Sequence, residues 1–139
     1  VPDGATIDSA VLSLKLSIYS GTPTVNIYAE NSANPSAPTT YSDYAGRSLT
    51  TAYSQWIPAY NDDAFHDSSD LSDVVEELMA ARSYAAGSNV LITAKNALGS
   101  GANYATSRSY DYAAASAAKL QIVYTEAASG SSWAGTWGG

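Results

Sequence analysis

ATIDSAVLSLKLSI, residues 5–18, is the stretch of this chain that decides its fold class. Every second residue from Ala10 to Ile18 is apolar, and the residues between them are mostly serine and lysine. A period of two with one apolar face is typical of a half-buried strand in an antiparallel sheet. Pro2-Asp3-Gly4 precedes the stretch and predicts a turn.

Further segments continue the β pattern. Val25, Ile27 and Ala29 alternate and predict a second strand over 24–30, which the turn at 20–23 joins to the first strand as a hairpin. We predict loops at 31–40 and, in an acidic stretch, at 60–69. Shorter strands are predicted at 52–58, 90–95, 104–110 and 120–124.

One segment has helical spacing instead. Its apolar positions 71, 74, 75 and 78 predict a short helix over about 71–85, with Asp70 as N-cap, Asp73 in the first turn and Gly87 just past the end. We therefore predict an all-β domain, an antiparallel β-sandwich with one short α-helix, over residues 1–125. Its predicted buried residues are Leu12, Leu14, Leu16, Ile27, Leu78, Ile92 and Ile122.

Composition excludes several classes of function. The 139 residues contain no cysteine, so neither a disulfide nor a thiolate site is expected. A net charge of −7 and scattered basic residues argue against nucleic-acid binding. No apolar run is long enough to span a membrane, and the low charge with abundant Ser, Thr, Ala, Gly and Tyr is common in extracellular, cell-surface and virion-surface proteins.

The order of several motifs resembles a known family. Several stretches are similar in sequence and order to jelly-roll modules of secreted carbohydrate-binding (DNRLRE-like) proteins and of phage-like and environmental structural proteins: residues 2–10, 25–28, 46–51 leading to Trp56, 73–78 preceding 90–92, 107–111 and 118–124. The resemblance implies a jelly-roll sandwich without catalytic activity. It also implies a short strand upstream of the Pro-Asp-Gly turn, so one strand position of the sheet is expected to be empty and open to a neighbour's segment.

The chain offers few residues for catalysis or metal binding. His66 is the only histidine, and no nucleophile elbow accompanies it, so we do not expect an enzyme. The oxygen ligands Asp62, Asp63 and Asp67 predict, as a weaker hypothesis, a calcium site; the alternative explanation is an acidic N-terminus of the helix that follows. No other cofactor is expected.

Residues 126–139 form a Gly/Ser-rich tail with an aromatic end. Trp133 and Trp137 follow a linker-like stretch, and they either fold back on their own domain or contact a neighbouring subunit. We adopt the second interpretation, which makes the tail an inter-subunit contact.

Two functions follow from these features. The first is a structural subunit of an extracellular or virion-associated assembly (a filament, appendage or surface layer), whose partners are copies of itself in a homopolymer. The alternative is a carbohydrate-binding module that contacts polysaccharide through the loop tyrosines Tyr41, Tyr44 and Tyr60.

Overall fold

The structure is a computed structural model that describes residues 1–2, 4–84, 87–97 and 103–128. The strands of the described residues are β1 (Thr6–Ser20), β2 (Val25–Ala29), β3 (Ser54–Trp56), β4 (Ala64–Asp67), β5 (Ile92–Asn96), β6 (Tyr104–Ser107) and β7 (Lys119–Thr125). The helices are α1 (Tyr41–Ala45), α2 (Ser72–Ala81) and a 3₁₀ turn (Ala114–Ser116).

All strand pairs are antiparallel and belong to two sheets. In the larger sheet, β1 is central. The backbone carbonyls of Leu12 and Ala10 accept from the N–H groups of Ser68 and Leu71 on the β4 edge, and the N–H groups of Leu12 and Ala10 donate to the side chains of Ser68 and Asp70. Alternate residues of a strand direct their backbone groups to opposite edges, so the edge of β1 that faces away from β4 is free for other strands. β7 pairs with the first half of this edge and β6 with the second half. The smaller sheet has the order β3-β2-β5.

The core lies between the sheets and beneath α2. Leu16 of the larger sheet points toward the smaller sheet, and Ile27 of the smaller sheet points toward the larger one; they are 2% and 0% exposed. Val74 of α2 is fully buried in the same cluster. The rest of this cluster comprises Ile7, Ala10, Leu12, Ala29, Trp56, Leu71, Val75 and Leu78. The predicted all-β sandwich with one short helix is therefore confirmed at the level of two packed antiparallel sheets.

The predicted buried set is correct in part. Leu12, Leu16, Ile27 and Leu78 are buried, whereas Leu14, Ile92 and Ile122 are only half-buried against the core. Ile18, predicted on the apolar face, is 55% exposed. The register between β1 and β6 shifts between Leu16 and Ile18, and such a bulge ends the simple alternation of faces.

Asp70 ties the start of α2 to β1. Its carboxylate accepts hydrogen bonds from the backbone N–H of Ala10 at 2.9 Å, the N–H of Ser72 at 3.2 Å and the Ser72 hydroxyl at 2.6 Å. These donors, that of Ala10 first, lower the pKa of Asp70. The prediction of Asp70 as the N-cap is wrong, because the N-cap is Leu71; Asp70, one residue earlier, instead bonds to Ser72, the first residue of the helix.

Three other predicted local features are wrong. β1 and β2 do not form a hairpin, because residues 21–24 carry the chain from one sheet to the other. Residues 60–69 are not all loop, since β4 pairs with Ser13–Leu16. The helix ends at Ala81, before the predicted 85, because Arg82 is extended and its guanidinium donates to the carbonyl of Asn31 at 3.0 Å.

Candidate functional site

An apolar cleft opens between the two sheets on the side where β5 faces β6 and β7. We call it the inter-sheet cleft. It measures about 430 Å³ beside β7 and about 170 Å³ beside β6. Both parts are lined by Leu12, Leu14 and Ala94. Further lining residues include Ile92, Ala105, Ala118 and Leu120. None of the lining side chains carries a charge.

The cleft is open because the sandwich closes only on its opposite side. There, the hydroxyl of Ser69 beside β4 donates to the backbone carbonyl of Gln55 in β3 at 2.7 Å. Along the cleft, by contrast, no described strand pairs with the outer edge of β5 or of β7. Leu14 is half-buried as a result, although Leu12 and Leu16 on either side of it are buried.

Unpaired strand edges beside an apolar cleft form a specific kind of binding surface. An extended segment can add to such an edge through backbone hydrogen bonds while its alternate side chains enter the groove. The cleft can therefore accept a neutral, extended peptide with apolar or aromatic side chains.

The three aspartates of the calcium hypothesis each have a separate partner. Asp62 accepts from Nε2 of His66 at 2.8 Å, which lowers the pKa of Asp62. Asp63 pairs with Nε of Arg108 at 3.0 Å and lies 3.5 Å from Nζ of Lys15; its pKa is also lowered, mainly by the Arg108 hydrogen bond. Asp67 accepts from the Ser13 hydroxyl. No three acidic or histidine side chains converge within the described residues, and the calcium site stays a prediction.

The loop tyrosines of the carbohydrate hypothesis lie in two places in the structure. Tyr41 and Tyr44 sit one turn apart on α1, with ring centroids 6.3 Å apart, and Tyr41 is 83% exposed. Tyr60 instead stacks on the imidazole of His66, with centroids 3.6 Å apart and planes within 10°. A sugar contact at these residues remains a prediction.

Trp133 and Trp137 lie outside the residues that the structure describes. The described chain ends at Ala128, after β7. The preceding residue, Ala127, lies beside Gly4, whose positive φ of 77° belongs to the turn before β1.

The outer face of the smaller sheet carries a group of side chains that sequence reasoning missed. Tyr28 and Tyr53 lie side by side, with ring centroids 5.3 Å apart and planes inclined by 36°. Next to them, Nε2 of Gln55 donates to Oδ1 of Asn26 at 3.2 Å, and Nζ of Lys95 lies 5.9 Å from the centroid of Tyr28. We call these five residues the tyrosine face.

A sequence signal for two of these five residues was present. The alternation that places Val25, Ile27 and Ala29 inward also places Asn26 and Tyr28 outward. The pairing of β2 with β3 was not predictable from that alternation, and this pairing is what brings Tyr53 and Gln55 alongside.

Comparison of the chain with protein-family models, curated proteins and solved structures gives no match. None of the described helices has the length and apolar character needed to cross a bilayer.

Proposed function

We propose that this protein is a non-catalytic structural subunit of an extracellular or virion-associated assembly, such as a filament, appendage or surface layer, and that it acts through contacts between copies of the chain. The observation that carries this proposal is the inter-sheet cleft. An open apolar groove with unpaired strand edges is costly to leave in water and is suited to a protein partner.

The proposed occupant of the cleft is the C-terminal tail, residues 126–139, of a second copy. From Ala127 onward the tail has no charged side chain, which matches the uncharged lining of the cleft. Trp133 and Trp137 supply the aromatic side chains that the groove can bury. Each indole removes about 150–250 Å² from water, or roughly 4–6 kcal/mol before the cost of ordering the chain.

The tail's first residues lie away from the part of the cleft at Leu12 and Leu14, so a tail must extend to reach it, and we propose that the tail which does so is a neighbour's. The register pairs Thr125 with Thr6 and Leu120 with Leu12, so β7 runs away from the cleft toward the start of β1. Five residues of strand separate the two positions, about 17 Å. The tail therefore leaves the sandwich at the end remote from the part of the cleft at Leu12 and Leu14.

A tail-in-cleft contact joins two different surfaces of the subunit. Such a heterologous contact repeats from copy to copy and produces a ring or an open filament, not a two-fold dimer. We propose the open filament because the outer edge of β7, with which no described strand pairs, also allows sheet continuation between subunits. We further propose that the sandwich is of the jelly-roll type, on the basis of the order of its motifs along the chain.

The experiment compares the full chain with a variant that carries Trp133→Ala and Trp137→Ala, and with the control Thr136→Ala. Sedimentation velocity and negative-stain electron microscopy report assembly, and far-UV circular dichroism reports folding. We expect the full chain and the control to polymerise and the double variant to be a folded monomer. Polymers of the double variant, or a full chain that stays monomeric at high concentration, would contradict the proposal.

A further inference from the structure

We propose that Tyr28 and Tyr53 form a modification site, at which hydrogen peroxide and a haem peroxidase join the two rings as dityrosine. Both rings belong to the tyrosine face, and their centroids are 5.3 Å apart. The product is a covalent link between β2 and the residue that precedes β3. The site lies on the opposite side of the smaller sheet from the inter-sheet cleft, so the proposal is independent of the assembly proposed above.

The strand register holds the two rings beside each other. β2 and β3 are antiparallel, and Ile27 lies opposite Ser54. The next step of the same register places Tyr28 opposite Tyr53. Opposite residues of an antiparallel pair have Cβ atoms about 4.5–5.5 Å apart, so the backbone already supplies the proximity that a bond between the rings requires.

The relative orientation of the rings also suits coupling. The two ring planes are inclined by 36° and are not stacked face to face. Dityrosine contains a bond between the ring carbons next to the two hydroxyl-bearing carbons, and its rings are likewise twisted out of a common plane. Coupling of Tyr28 with Tyr53 therefore requires a small approach of the rings and no change in the strands.

The reaction balances with peroxide as the oxidant. The peroxidase takes one electron from each phenol and each phenol loses its hydroxyl proton, which gives two neutral tyrosyl radicals. The radicals join through a carbon–carbon bond, and the hydrogens on the two bonded carbons move to the oxygens and restore both phenols. Overall, two hydrogen atoms leave the protein and one hydrogen peroxide is reduced to two waters. The radicals carry no charge, so the ammonium group of Lys95, 5.9 Å from the centroid of Tyr28, does not oppose their formation.

The site is open to an oxidant from solvent. Tyr53 is 53% exposed and Tyr28 is partly exposed. Among the described residues, Tyr41 and Tyr44 form a second tyrosine pair, with centroids 6.3 Å apart. That pair is wider and lies within the five residues of α1, so a bond there would connect no two strands.

The cross-link gives this chain a covalent staple that its composition otherwise lacks. The chain has no cysteine and therefore no disulfide. A bond between Tyr28 and Tyr53 closes a loop that contains α1, and it restricts the unfolded chain as a disulfide at the same positions would. From the length of this loop, we expect the melting temperature to rise by about 10 °C.

Peroxidase treatment of the full chain tests the proposal. The chain is oxidised with a haem peroxidase and limiting hydrogen peroxide, at a dilution where sedimentation velocity shows monomers. Dityrosine fluorescence of the monomeric fraction reports the cross-link, and mass spectrometry of its peptides reports which tyrosines are joined. Tyr53→Phe keeps the ring but removes the hydroxyl that is oxidised, and Tyr41→Phe is the matched control at the second pair.

We expect the monomeric full chain to lose two hydrogen atoms in mass, to yield a joined peptide pair that contains Tyr28 and Tyr53, and to melt about 10 °C higher. Tyr41→Phe should give the same results, whereas Tyr53→Phe should lose the intramolecular cross-link. The proposal is overturned by an absence of dityrosine, by a cross-link that persists in Tyr53→Phe or joins only Tyr41 and Tyr44, or by an unchanged melting temperature of the cross-linked chain. Because the reaction is carried out on monomers, its outcome does not depend on whether the chain polymerises.

Discussion

Replacing Leu16 with alanine should lower the free energy of unfolding about twice as much as the same change at Leu14. The two side chains lie on the same face of β1 and both border the inter-sheet cleft, but Leu16 is 2% exposed whereas Leu14 is only half-buried. The pair therefore measures whether the cleft is open in an isolated subunit.

The expected magnitudes follow from burial. Leucine to alanine removes three carbon groups, each worth about 0.8 kcal/mol when it is buried, so the transfer loss at Leu16 is about 2.4 kcal/mol. The cavity left in a closed core raises the total to about 3–4 kcal/mol. At Leu14 a minor part of the side chain is already in contact with water and the side chain borders the cleft, so the loss is smaller, about 1.5–2 kcal/mol.

Urea unfolding followed by far-UV circular dichroism checks both values. The measurement is made on subunits at a dilution where sedimentation velocity shows monomers, and the slope with urea should be the same for both variants. Losses that are equal at the two positions would show that the chain covers its own cleft. That result would refute the open-cleft geometry on which the proposed assembly rests.

Three further predictions concern the charged groups that fix the loops. The pKa values of Asp70 and Glu77 are lowered in the folded protein. The two carboxylates therefore stabilise the fold fully above their ordinary pKa of about 4, and this stabilisation is lost as the pH falls through their folded pKa values. The melting temperature should drop between pH 5 and pH 2. In Asp70→Asn that drop should be smaller, and an unchanged pH profile would contradict the assignment. Arg47→Ala should clearly lower the urea midpoint, because it removes the guanidinium that lies 2.7 Å from the buried carboxylate oxygen of Glu30. Arg82→Ala, at an exposed arginine, is the control and should change the midpoint little.

The sequence predicted elements whose pattern is local. Strong alternation identified the core of β1 and of β7, and apolar spacing with an acidic first turn identified α2. β4 was missed because its sequence, AFHD, has no apolar alternation of its own. Its strand conformation depends on pairing with β1, more than 45 residues earlier in the chain.

The partners of each strand could not be predicted for the same reason. A short turn between two strands favours a hairpin, yet β1 and β2 each have an apolar face and bury these faces against one another from separate sheets. The same limit applied to the candidate sites. Neither the inter-sheet cleft nor the tyrosine face can be recognised until the sheet order is known.

Cysteine cross-linking between two different chains tests the central claim most directly, because the natural chain has no cysteine. One chain carries Ala118→Cys at the rim of the cleft, and the other carries Ala134→Cys between the two tail tryptophans. Mixed under mild oxidation, they should form a disulfide-linked heterodimer, whereas Gln121→Cys on the exposed outer face of β7 should not replace Ala118→Cys. Cross-linking only when both cysteines are in the same chain, or equally with the Gln121→Cys control, would contradict a tail that binds in a neighbour's cleft.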